Sequence, residues 1–126
     1  MPERKLLPMN QSQIDFQQLR IKHILYKTKV RSVLYGGTYD EVFFSHVGPI
    51  SLWFRTVGNE RYSNEPELNE LTRLHNELGR QADVIFTLYK SGQIDQAHEG
   101  LRTIDKKSEQ FLAILSQLEG RLAVQV

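Results

Sequence analysis

From residue 94 to residue 122 one seam runs without a slip: Ile94, Ala97, Leu101, Ile104, Ser108, Phe111, Leu115, Leu118 and Leu122, in alternating steps of three and four. That period fits one face of an α-helix and no strand, whose side chains alternate every second residue. A seam of this length is what a helix packed lengthwise in a bundle presents to its neighbours. The same period occurs twice more. Residues 16 to 34 give Phe16, Leu19, His23, Tyr26, Val30 and Val33, and residues 68 to 89 give Leu68, Leu71, His75, Leu78, Ala82, Ile85 and Tyr89.

Local signals place the ends of these helices. Ser12 is expected to cap the first, which runs to about Tyr35, where Gly36-Gly37 breaks it. The third is expected to start at an Asn64 cap with Pro66 in its first turn and to stop at Ser91-Gly92, and the fourth to begin near Gln93. A short helix should follow Pro49 with Leu52, Trp53 and Val57 inward, ending at Gly58 and Asn59. Residues 38 to 47 lose the helical period and read as a loop with an extended stretch. The fold expected is all-α, an antiparallel four-helix bundle with a short second helix and an irregular 36–48 connection. Residues 1–13 read as a flexible N-terminal arm and 14–122 as a single domain.

Composition narrows the function. The chain has 126 residues, enough for one core. Lys and Arg number 16 against 15 Asp and Glu, a net charge of +1 that argues for neither nucleic acid nor an anionic membrane as partner. No cysteine is present, which removes disulfides and thiolate chemistry. The opening residues lack the apolar run of a signal peptide and no stretch has the apolar length of a membrane span, so a cytoplasmic location is expected. Phe43, Phe44, Trp53 and Phe54 cluster in and beside the irregular segment, more aromatic surface than a small bundle readily covers. A homodimer patch is the reading they suggest.

The candidate site residues are the histidines. His23 and His75 each occupy an apolar stripe where leucine would serve packing better, and a buried polar group left without a partner costs roughly 1–3 kcal/mol. Taken singly, each is more often a core residue bonded to a carbonyl or hydroxyl than a ligand. Two in one small core could share a pocket, and neutral imidazole is a common metal ligand. His46 sits in the irregular segment, where solvent is its better reading. Asp95 and His98 resemble half of a carboxylate di-metal motif, but the other acidic residues, Glu70, Glu77, Glu99 and Glu109, fall mostly on polar faces. Asp95 is better read as a first-turn charge. Gly79 lies one turn after His75 inside a helix, either for close packing or as a vacated side-chain position. No phosphate loop, Ser–His–Asp arrangement or carboxylate pair can be argued from spacing, so an enzyme is the least favoured class.

Three segments resemble the chemoreceptor zinc-binding domain, a cytoplasmic bacterial sensory family. His23-Ile24-Leu25-Tyr26-Lys27 is similar to its opening histidine and aromatic. Gly48-Pro49-Ile50-Ser51-Leu52-Trp53 is similar to its Cys-x-aliphatic-Gly-x-Trp segment, and His75-Asn76-Glu77-Leu78-Gly79 to its His-x-x-x-His. The similarity runs through Leu88 to Gly92 into the last helix, over most of residues 14 to 122. The resemblance implies a four-helix bundle, commonly a homodimer, in signal transduction and chemotaxis with a signalling protein as partner, and zinc held by three histidines and one cysteine. His23 and His75 match two of those ligands; Gly48 stands where the cysteine belongs and Gly79 where the last histidine belongs. Two imidazoles and two waters would hold zinc loosely. Either His46 is recruited as a further ligand or zinc binding is weakened or lost, and loss is the favoured expectation. The alternative is a plain dimerisation or interaction module whose histidines are structural.

Overall fold

The computed structural model describes residues 10–123, and among them every regular element is helical. Three helices are long: α1 (Gln11–Leu34), α5 (Pro66–Lys90) and α7 (Leu101–Ala123). Between α1 and α5 lie three short ones, α2 (Glu41–Phe44), α3 (Pro49–Trp53) and α4 (Asn59–Arg61), the last two joined by a π-helical turn over Phe54–Gly58. A six-residue helix, α6 (Ile94–Glu99), leads into α7. Residues 1–9 of the expected arm lie outside the described residues, and Gln11 to Gln13 are already helical.

The start of α1 falls at Asn10, not Ser12. The Asn10 carboxamide accepts from the Gln13 amide, and the Gln13 side chain accepts from the Asn10 amide, both at 2.9 Å. This reciprocal box satisfies two of the orphan donors of the first turn, whereas Ser12 Oγ only donates to Asn10 Oδ1. The helix stops as the glycines require. Gly36 adopts φ +90°, and the amides of Gly36 and Gly37 donate back to the carbonyls of Val33 and Ser32.

Cross-helix contacts give the directions. Arg20 pairs with Glu119, His23 with Ser108, and Lys27 with Asp105, so numbers rising along α1 meet numbers falling along α7. Likewise Glu67 meets Arg121 and Glu77 meets Lys107. Helix α7 therefore runs opposite to both α1 and α5. The short helices return along α1: Phe43 and Phe44 lie against Tyr26, Trp53 near Phe16, and Arg61 on Asp15.

The core gathers the inward faces. All six stripe positions of α1 are buried, and of the last seam all are buried but Ile94. Two expectations are corrected. In α5 the buried face passes through Leu74 and Phe86, which turns His75 and Tyr89 to the half-buried edge. The fourth helix is interrupted at Gly100, where a Cβ would overlap the side chain of Ile85; the missing side chain lets α5 approach the α6–α7 junction.

The middle of the chain departs furthest from expectation. Residues 41 to 44 form a helical turn, not an extended stretch, because the Asp40 carboxylate accepts from the Phe43 amide and caps it. Helix α5 starts at Glu65 with no side-chain cap, so Asn64 does not serve, and Pro66 at its first position supplies the pre-set φ. Gly58 does not end the second helical segment. It continues in the right-handed region, and a Cβ there would press on the Trp53 ring at 3.0 Å. The aromatics first read as excess surface are partly absorbed within the chain: Trp53 is buried, and Phe43, Phe44 and Phe54 are half-buried against the core.

Candidate functional site

His23 comes from the middle of α1 and is sealed. It has no solvent exposure, its ring stacks on Phe111 with centroids 4.3 Å apart, and its Nε2 hydrogen-bonds with Ser108 Oγ at 2.7 Å. The polar Ser108 in the otherwise apolar last seam is thus its partner. Nδ1 is buried without one. Burial pushes the imidazole down to about 4, helped by the positive charges of a protonated His75 and of Lys27, so the ring is neutral at pH 7.

His75, half-buried on α5, has different company. Its ring meets Tyr26 edge-on at 5.5 Å and Phe54 at 5.9 Å. Nε2 reaches Ser51 Oγ only at 3.5 Å, the outer limit of a hydrogen bond, and Nδ1 is buried with no partner. Burial alone pushes this imidazole down to about 4 as well. Neither nitrogen of His75 is well satisfied.

Beside His75 lies a cavity of about 220 Å³ walled by Tyr26, Phe43, Phe44, Ser51, His75 and Gly79. His46 and Asn76, both exposed, stand at its rim. Gly79 contributes the space of a missing side chain: a Cβ there would meet nothing within 4 Å, so close helix packing is not its role. Gly48 is the opposite case. A Cβ there would overlap the carbonyl oxygen of Phe43, because the chain turns tightly from α2 into α3.

The structure therefore brings His75, His46 and Gly79 to one cavity and places His23 against α7 instead. The four-ligand zinc set implied by the resemblance does not fit these residues: Gly48 has no room for a side chain without backbone movement, and His23 Nε2 is committed to Ser108. Among the described residues no three or more His, Asp or Glu side chains gather as a metal site would need. His98 is structural, its Nε2 donating to the Leu34 carbonyl at 2.8 Å, and Asp95 is exposed in the first turn of α6.

Spacing gave no notice of Asp15. Its carboxylate is 2% exposed and accepts from Tyr62 Oη at 2.6 Å, from Arg61 Nη1 at 2.8 and 2.9 Å, and from Gln11 at 2.9 Å. Burial alone would raise its pKa, but the hydrogen bonds from Tyr62, Arg61 and Gln11 and the charge of Arg61 outweigh that and lower it. The cluster clasps the end of α4 to the start of α1. Ser51 and Asn76, which complete the polar side of the cavity, were equally silent because neither breaks its helix pattern.

Set against known proteins, the chain matches no family model, no curated protein and no solved structure. No helix among the described residues is long and apolar enough to cross a membrane.

Proposed function

We propose that this chain is a non-enzymatic bacterial regulatory domain of the zinc-sensor type that has given up its metal, working as a homodimer with a signalling protein as its downstream partner. On this reading it is a four-helix bundle whose second helix is the short 49–61 segment, and it acts in the cytoplasm. The observation that carries the proposal is the cavity beside His75. It lies where a His-x-x-x-His pair would project, one histidine remains, and the second is replaced by a glycine whose side-chain space is open. A dimer is favoured by Ile14, Ile21 and Leu25, exposed along one side of α1, with Leu52 of α3 also exposed.

The test is zinc titration by calorimetry, with elemental analysis after dialysis and sedimentation to give the oligomeric state. The domain should retain substoichiometric zinc and sediment as a dimer. Stoichiometric zinc lost on His23→Ala would overturn the degenerate site, and a monomer at high micromolar concentration would overturn the dimer. A second reading, an interaction module with purely structural histidines, is supported by the His23–Ser108 bond but leaves the half-satisfied His75 without a role.

A further inference from the structure

The cavity beside His75 has a chemistry of its own. None of its lining residues is Lys, Arg, Asp or Glu, and His46 stands exposed at the rim, so a carboxylate, phosphate or ammonium seated beside His75 would lose hydration with no fixed counter-charge around it. Its walls are of two kinds. Tyr26, Phe43 and Phe44 offer aromatic faces and edges, while Ser51, Asn76 and His75 offer hydroxyl, amide and imidazole groups that donate and accept. His75 is the member with unmet capacity: its Nε2 lies 3.5 Å from the Ser51 hydroxyl, the outer limit of a hydrogen bond, while Nδ1 is buried away from the open space. Native proteins seldom leave such a group unexplained. The size is also informative, since a cavity of about 150 Å³ accepts benzene, and the 220 Å³ here leaves room for a ring with its polar substituents.

From these features we infer that the cavity is a binding site for an uncharged, single-ring heteroaromatic molecule carrying a hydrogen-bond donor beside an acceptor, of the pyrimidinone type, with its ring against the wall formed by Tyr26, Phe43 and Phe44 and its polar edge toward His75 and Ser51. The inference rests on the reading of this pocket as a sensory site that has lost its metal, and it names what replaced the metal. Because burial holds His75 neutral at pH 7, its Nε2 donates or accepts according to tautomer, and the Ser51 hydroxyl beside it supplies the complementary group for a donor–acceptor edge. Gly79 makes the site possible, since any larger residue would project into the ring's space.

The test uses the full chain with uracil and 2-pyridone as probes, by calorimetry and ligand-observed NMR, with benzoate as the charged ring and benzene as the ring without polar atoms. At least one of the two probes should bind one per chain, about tenfold more tightly than either comparator. Gly79→Leu should weaken that binding about tenfold or more while raising the melting temperature, because a good helix former replaces glycine where nothing obstructs it. His75→Leu should weaken it about tenfold with the fold retained. No saturable binding of either probe, equal binding to Gly79→Leu, or benzoate binding as tightly as the probes would each overturn the inference. Zinc titrated into the same sample separates the two failures: tight zinc sinks the lost-metal reading, whereas a chain that holds neither zinc nor the probes sinks only the ligand.

Discussion

His23 and His75 are the same residue type on the same kind of helix, in register across one small protein, and the structure treats them as opposites. His23 is stacked, bonded to Ser108 and shut off from solvent. His75 stands half-buried on a cavity wall with only a weak contact at Nε2; Nδ1 is unpaired in both rings, so the contrast lies at Nε2. The difference teaches that a histidine on an apolar stripe takes its role from what faces it. A hydroxyl at hydrogen-bond distance makes it architecture; an open space beside it makes it available for recognition. The two glycines divide in the same way, Gly48 filled by backbone and Gly79 open.

Acid should expose the contrast most strongly. Both imidazoles have folded-state pKa values near 4, below the ordinary 6.5 of an unfolded chain, so the unfolded state takes up protons first. The stability they support is complete above pH 6.5 and is lost as pH falls toward 4, by about 3 kcal/mol for each fully shifted ring. Urea melts between pH 7.5 and 4.5 measure the loss. NMR of the rings should show His75 titrating within the folded protein and His23 only as it unfolds; simultaneous titration of both in the folded state would erase the distinction.

Removal of the side chains comes next. His23→Ala leaves a buried cavity and strands Ser108, and it should cost about 3 kcal/mol in urea denaturation, whereas His75→Ala enlarges an existing space and should cost about 1 kcal/mol or less. Equal costs would break the comparison. The glycines extend it with smaller effects of opposite sign. Gly48→Ala should destabilise by about 2 kcal/mol because its Cβ meets the Phe43 carbonyl, and Gly79→Ala should stabilise by roughly 0.5–1 kcal/mol because it meets nothing. Thermal melts of the two variants side by side give both signs in one experiment.

Much of the fold was legible from residue spacing. All of the α1 stripe and eight of the nine seam positions from 94 to 122 are buried, since a helix that must hide an apolar face repeats it every three to four residues whatever it packs against. The ends of helices were read well where glycine set them, at Gly36 and Gly92, because φ values of +90° and +83° are cheap only for glycine. Caps were less legible: Asn10 and Glu65 hold the positions expected of Ser12 and Asn64, and no spacing signal marks Asp40. Residues 41 to 61 were the hardest, being short helices held by contacts with distant residues such as Asp15, Phe16 and Tyr26.

Local chain physics thus settles that this protein is helical, which three helices are long, and which faces of α1 and α7 turn inward, because periodicity and backbone preference act within a few residues. The fates of His23 and His75 were settled by partners far along the chain. Ser108 is 85 residues from His23, and Ser51 is 24 from His75. A small rotation of α5 placed Leu74 in the core and left His75 at its edge, a choice made by how neighbouring helices pack and invisible to any count of spacings.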